Sequence, residues 1–175
     1  MHRETVFTIG HGRRPVDELV SMMHEAGART LVDVRRYPGS RRNPQFNQAA
    51  LAATLDAGGI AYLHAVELGG HRSGEPGESS FACIREPAFR SHVARMRRNE
   101  WQDALARALA EPVPAFMCAE TPWQRCHRRY IAELLTVRGH EVVHLLRPRE
   151  SERHHLSKGA EVRDGKLYLC GVAVA

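Results

Sequence analysis

The sequence is short of aromatic residues and has no long apolar run. Phenylalanine, tryptophan and tyrosine make up 6% of its 175 residues, so few rings are available to stack on nucleic-acid bases. No apolar run approaches the roughly 18 residues that a membrane-spanning helix needs. The first residues also lack the apolar segment of a secretory signal peptide. We therefore expect a cytoplasmic protein that has no contact with a membrane.

Cysteine is scarce and irregularly spaced. The four cysteines are Cys83, Cys118, Cys126 and Cys170. They include no Cys-x-x-Cys pair, and six residues separate Cys118 from Arg125, which excludes the Cys-x5-Arg loop of cysteine phosphatases. In a cytoplasmic protein with this spacing we expect four reduced thiols and no disulfide.

Arginine, in contrast, is abundant and grouped. The net charge is +5, with 26% charged and 43% hydrophobic residues, an ordinary balance for one globular domain of this length. Arginines cluster in three places: residues 35–42, 95–98 and 125–129. The planar guanidinium group suits phosphate because it donates two parallel hydrogen bonds. Solvated arginine faces are the alternative explanation for any single group.

Short apolar runs alternate with amphipathic segments along most of the chain. The runs predict five β-strands, at residues 5–9, 30–34, 60–64, 115–118 and 141–146. The segments between them show helical periodicity and carry helix-start signals. Strands that alternate with helices favour a mainly parallel sheet with helices on both faces. We therefore predict an α/β fold in a single domain, with a sheet of about five strands.

The pattern changes after Arg147. Residues 148–158 are mostly polar, and the later Asp164-Gly165 pair is typical of a tight hairpin turn. We expect residues 1–147 to form the α/β core domain with the site. Residues 148–175 are expected to add a polar linker and a short C-terminal β-hairpin to the same domain.

Residues 115–129 concentrate the groups that can do chemistry. A buried strand is expected to lead directly into a helix, with Thr121 as N-cap and Pro122 at the first helical position. Free backbone N–H groups at such a helix start favour a bound anion. The stretch also contains two thiols, a carboxylate, an imidazole and a guanidinium, on Cys118, Glu120, Cys126, His127 and Arg128. We therefore expect the functional site here.

Other segments also follow predicted strands directly, and the carboxyl ends of parallel strands meet at one edge of the sheet. These segments are Gly10-His11-Gly12, Asp33 with the arginine loop behind it, and Glu67-Leu-Gly-Gly70. The predicted catalytic residues are Glu120, His127, His11, Asp33 and Cys118, which supply acids, bases and a nucleophile. The residues predicted to bind substrate are Arg35, Arg41, Thr121, Cys126, Arg128, Gly69 and Gly70.

Several motifs, in the same order, resemble those of one bacterial family. They are Thr8-Ile-Gly-His-Gly12, Leu31-Val-Asp-Val-Arg35, Pro44-Gln-Phe-Asn47, Leu68-Gly-Gly70, and Met117-Cys-Ala-Glu120 with Cys126-His-Arg128. On these motifs the chain resembles the family of uncharacterised proteins catalogued as domain of unknown function 488. The resemblance implies an α/β fold and a shared site, and it implies no reaction. Family members usually carry serine where this chain has Gly12.

Four functions are compatible with these residues. The first is a hydrolase or transferase that acts on a phosphate-bearing nucleotide or nucleic acid without a cofactor or metal. The second is thiol chemistry at Cys118. The third is a zinc site made of Cys118, Glu120, Cys126 and His127, although their spacing matches no usual paired pattern. The fourth is a non-enzymatic protein whose arginines contact a nucleic-acid backbone. We expect the first; the oligomeric state is not indicated.

Overall fold

The computed structural model describes residues 4–70 and 72–175, and these residues form an α/β fold. The five helices of this part are α1 (Val16–Ala26), α2 (Gln48–Ala57), α3 (Pro87–Met96), α4 (Asn99–Leu109) and α5 (Arg128–Val137). Its strands are β1 (Thr5–Gly10), β2 (Thr30–Asp33), β3 (Ala61–His64), β4 (Pro114–Cys118), β5 (Glu141–Arg147), β6 (Glu150–Arg153), β7 (Ala160–Arg163), β8 (Lys166–Leu169) and β9 (Val172–Ala173). The predicted fold class is confirmed.

The main sheet has six strands in the order β3-β2-β4-β1-β5-β6. The five strands β1 to β5 pair in parallel, and β6 pairs antiparallel with β5 at the edge. Five strands were predicted from the sequence, and residues 148–158 were expected to form a linker, so β6 was not predicted. Its side chains are all exposed and polar, which is why no apolar run marked it.

Each face of the sheet has its own hydrophobic core, because side chains alternate along a strand. On one face, Phe116 and Cys118 of β4 pack with apolar residues of α3, α4 and α5. On the other face, Ala115 and Met117 of the same strand pack with residues of α1 and α2. Helices therefore cover both faces, as predicted.

The C-terminal residues form a second, three-stranded antiparallel sheet, β7-β8-β9. Its first turn contains Asp164 and Gly165, where the hairpin was predicted. Leu167 and Leu169 are buried in the same core as α5, so this sheet packs on the domain. A disulfide joins Cys170 to Cys83, with a Cα–Cα distance of 5.6 Å. The expectation of four reduced thiols is therefore wrong for this pair. Because the two cysteines are 87 positions apart in the sequence, nothing local in the sequence indicates that they meet.

In residues 4–70 and 72–175, no helix combines the length and hydrophobicity that crossing a membrane requires.

Candidate functional site

The loop after β4 takes a different course from the predicted one. Pro122 is extended (φ −70°, ψ 111°), one 3₁₀ turn follows at Trp123–Arg125, and Cys126 is extended again (φ −121°, ψ 150°). Helix α5 therefore begins at Arg128, and the prediction that it begins after Thr121 is wrong. Proline fixes φ at a value that suits extended backbone as well as a first helical turn, so the sequence signal was ambiguous.

Two thiols and one imidazole meet at the carboxyl end of β4. His127 Nδ1 lies 3.9 Å from Cys118 Sγ and 3.7 Å from Cys126 Sγ. The three potential ligand atoms all lie within 4.8 Å of one another, and the three residues are buried. These distances show that Nδ1 is the ring nitrogen that faces the sulfurs. The other ring nitrogen, Nε2, has no hydrogen-bond partner among the described residues. We refer to these residues as the Cys–Cys–His cluster.

Arg128 is buried, at 1% exposure, and its guanidinium donates to groups within the site. Nε donates to Cys126 Sγ (3.4 Å), and Nη1 donates to Thr8 Oγ1 (3.2 Å). Nη2 donates to the backbone carbonyls of Glu120 and Thr121. Arg128 thus connects the loop after β4 to strand β1. Substrate binding by Arg128 stays a prediction, and these contacts favour a role in positioning the loop.

The two free thiols differ in their tendency to ionise. Hydrogen bonding to Cys126, together with burial, raises the pKa of the Cys118 thiol. Burial also opposes ionisation of Cys126, but the hydrogen bond from Cys118 and the nearby His127 and Arg128 outweigh it and lower the pKa of that thiol. Of the pair, Cys126 therefore has the lower pKa and ionises more readily than Cys118.

A cleft of about 190 Å³ lies over the cluster. The cluster residues line its buried end, whereas Glu120 and Arg125 are exposed at its rim. Gly70 lines another side, and a Cβ built there would lie 2.8 Å from His127 Nδ1. A residue without a side chain is therefore needed for the chain to pass this close to the imidazole ring. Phe89 of α3 contributes an apolar wall.

The second group of predicted residues lies at the same sheet edge but on the opposite face. The Asp33 carboxylate is fully buried and accepts two hydrogen bonds from the Arg35 guanidinium (2.8 and 2.6 Å), one from the Arg35 backbone N–H (3.0 Å) and one from the Tyr62 hydroxyl (2.7 Å). Arg35 Nη1 is 3.3 Å from His11 Nε2, and the His11 ring stacks on Phe46 at 4.3 Å. Burial, reinforced by the Arg35 charge, lowers the pKa of His11 to about 4.

Strand alternation explains this division. Asp33 is two residues from Leu31, which belongs to the core under α1 and α2. Cys118 belongs to the core under α5. Glu120 and His127 border the cleft, and His11 and Asp33 form a separate buried network behind the sheet. The segments therefore lie at one edge of the sheet but divide between its two faces.

The remaining predicted residues have varied positions. Arg41 and Thr121 are exposed. The Gly69 carbonyl accepts a hydrogen bond of 2.7 Å from the buried Arg95. Gly12 has φ +52°, and a Cβ there would lie 2.4 Å from Thr121 Oγ1. The left-handed backbone and this close approach explain why glycine suits this position.

Sequence reasoning missed His92, which lies against the site. This histidine of α3 is fully buried, and its ring meets the His127 ring edge-on with centroids 5.0 Å apart. Burial lowers the pKa of His92 well below its ordinary value. Helical spacing was an available signal, because residue 92 shares the buried face with Phe89, Val93 and Met96.

A buried polar chain beside α5 was also missed. The Thr8 hydroxyl bonds to His144 Nδ1 (2.7 Å), and His144 Nε2 bonds to His154 Nδ1 (3.0 Å). His154 Nε2 faces the buried Glu133 carboxylate at 3.6 Å. Trp123 stacks on His144 with centroids 4.1 Å apart. The groups of this hydrogen-bonded series come from four separate segments of the sequence, so no local pattern identifies it.

Fold and site together define the class: an α/β protein with a mainly parallel sheet and a Cys–Cys–His cluster under a cleft at its carboxyl edge. The family model described as domain of unknown function DUF488 matches residues 15–135. The chain belongs to this family, as its motifs indicated. It has no match among the curated proteins or the solved structures compared.

Proposed function

We propose that the protein is an enzyme of the hydrolase or transferase type that acts on a phosphate-bearing nucleotide or nucleic acid. The supporting observation is one cleft that combines two exposed carboxylates, on Glu86 and Glu120, the exposed guanidinium of Arg125 and the buried Cys–Cys–His cluster. Glu120 and Arg125 at the rim are exposed, so a substrate can reach them from solvent.

Each group has a role that its position permits. Arg125 is at the rim, where its guanidinium can bind phosphate by charge-assisted hydrogen bonds. Arg41 is a second exposed guanidinium, on the loop after β2. Glu120 is the general base, since its carboxylate is at the cleft mouth and is exposed to solvent. The net charge of +5 favours an anionic substrate.

The network on the other face has a supporting role in this proposal. The Asp33 carboxylate is occupied by Arg35 and Tyr62 and is inaccessible, so it positions Arg35 rather than attacking a substrate. Arg35 in turn holds the His11 ring and the Phe46 carbonyl. A cytoplasmic location remains part of the proposal, as no location follows from the fold.

The test begins with binding and continues with turnover. Inorganic phosphate, a nucleoside monophosphate and a short single-stranded oligonucleotide are added at low salt, and the melting temperature is followed. At least one should raise it. Arg125→Ala should weaken the binding by about tenfold to a hundredfold, the value of a charged hydrogen bond of about 1.5–3 kcal/mol. Arg97→Ala, an exposed arginine outside the cleft, is the matched control.

Turnover of the ligands that bind is then measured with Glu120→Gln. Loss of a general base should lower the rate by about 10²- to 10⁴-fold while binding persists. If the unaltered protein binds oligonucleotide but releases no product, and Glu120→Gln binds it equally well, the protein is a non-enzymatic nucleic-acid-binding protein instead. If none of the three ligands changes the melting temperature, the proposed substrate class is wrong.

A further inference from the structure

We infer that Cys118, Cys126 and His127 bind a single zinc ion through two sulfurs and His127 Nδ1. Zinc is the expected metal because thiolate and imidazole ligands together suit it. The inference deepens the proposed function. Only the role of the ion in catalysis rests on that function. Metal binding itself stands on the geometry of the cluster.

The two sulfur–nitrogen distances in the cluster are close to those of a tetrahedral zinc site. Zinc–sulfur bonds of about 2.3 Å and zinc–nitrogen bonds of about 2.0–2.1 Å place each sulfur about 3.6 Å from the nitrogen. The two observed sulfur–nitrogen distances are 3.7 and 3.9 Å. Small rotations of side chains that are already buried together would therefore complete the geometry.

The cluster offers three protein ligands, and the fourth position faces the cleft. Sites with three protein ligands and an open position are characteristic of catalytic zinc, whereas structural zinc usually has four protein ligands. Because the cleft touches all three residues, water or a substrate oxygen could complete the tetrahedron. Glu120 lines the same cleft at its exposed rim, so its carboxylate is a candidate to act on that oxygen.

The charges around the cluster are compatible with a dication. Zinc-bound cysteines are thiolates, and two of them neutralise the ion. The Arg128 guanidinium opposes a cation, but its Nε donates to Cys126 Sγ at 3.4 Å, the kind of hydrogen bond that orients a ligand sulfur. Its other donors are directed at Thr8 and two backbone carbonyls. Each of its three nitrogens therefore donates to a group of the protein.

The surroundings also fix His127 in a ligating orientation. Gly70 leaves room for the ring on one side, with a built Cβ only 2.8 Å from Nδ1. His92 packs edge-on against the ring from α3.

Zinc alone, with no substrate, tests the inference on the full chain. Protein stripped of metal is titrated with zinc against a chromophoric chelator, and cobalt(II) is used in parallel as a spectroscopic probe. We expect one zinc per chain and a sulfur-to-cobalt charge-transfer band. Cys126→Ser and His127→Gln should each weaken zinc binding by more than about a hundredfold, since even outer-shell partners contribute about 10- to 100-fold.

The double variant Cys83→Ser/Cys170→Ser is the matched control, because it removes the other two cysteines and should keep full zinc binding. If the ligand variants fail to fold, the cobalt spectrum of the unaltered protein still decides between thiolate ligation and its absence. No stoichiometric zinc, no thiolate band, or loss of zinc only in the control would each overturn the inference. Zinc binding without turnover of any phosphate compound would leave the metal site intact and reject the proposed substrate class.

Discussion

At the scale of single residues, missing side chains determine how closely the loops around the cleft approach. Gly70 passes against the His127 ring, and a Cβ at Gly10 would lie 2.2 Å from the Glu120 carbonyl oxygen. Neither position is among the glycines with positive φ, so the need for glycine there is steric. The cluster therefore depends on residues that carry no chemistry of their own.

Gly70→Ala should lower the free energy of unfolding by about 1–3 kcal/mol, the usual cost of overpacking a filled site. The added methyl group must displace the buried His127 ring. Urea denaturation measures the change, and Gly39→Ala is the control because a Cβ there meets nothing within 4 Å. Equal stability of the two variants would show that the His127 ring moves without cost.

At the scale of elements, the C-terminal sheet is attached to the domain by packing and by one covalent bond. Leu167 of β8 is buried in the core that α5 also lines. The disulfide from Cys83 to Cys170 joins the segment before α3 to the end of β8. Together they make residues 160–173 an integral part of the domain rather than a loose appendage.

Replacing both cysteines, Cys83→Ser/Cys170→Ser, should lower the free energy of unfolding by about 2–4 kcal/mol. The cross-link closes a long loop and so restricts the unfolded chain. Chemical denaturation measures the loss, and a reducing agent should reproduce it in the unaltered protein and have no effect on the double variant. A stability that does not respond to either change would mean that the cross-link is absent in solution.

At the scale of the whole molecule, buried histidines couple stability to pH. Burial, with the charges of His154 and Arg128, lowers the pKa of His144 to about 3. The groups that face it are Thr8, His154 and Trp123, with the Glu133 carboxylate behind His154. The pKa of His144 is therefore lower in the folded state than in the unfolded chain, where histidine has a pKa of about 6.5.

Because the unfolded state binds the proton more tightly, this contribution to stability is complete above about pH 6.5 and is lost as pH falls towards 3. The slope from His144 should approach about 1.4 kcal/mol per pH unit between these limits. Urea denaturation at pH 7, 6, 5 and 4 should therefore show a smaller slope for His144→Gln than for the unaltered protein. His155→Gln, an exposed histidine, should leave the slope unchanged; a slope shared by all three proteins would assign it to other groups.

Local patterns in the sequence were sufficient for the five parallel strands and for the sheet edge at which the candidate site lies. The alternation of apolar runs and helical segments gave the parallel sheet, and the rule that carboxyl ends of strands collect ligands brought His11, Asp33 and Cys118 to one edge. The motif order indicated the DUF488 family, to which the chain belongs. These features depend on residues close together in the chain, or on rules that hold for any parallel sheet.

Only the tertiary structure decided which of these residues work together. A shift of one position along a strand moves a side chain to the other face, and this separates Asp33 from Cys118. The extended backbone at Cys126 delays α5 to Arg128, buries its guanidinium and brings His127 onto two sulfurs. The Cys83–Cys170 bond joins residues 87 positions apart. Such contacts depend on how distant segments pack, which local sequence signals do not encode.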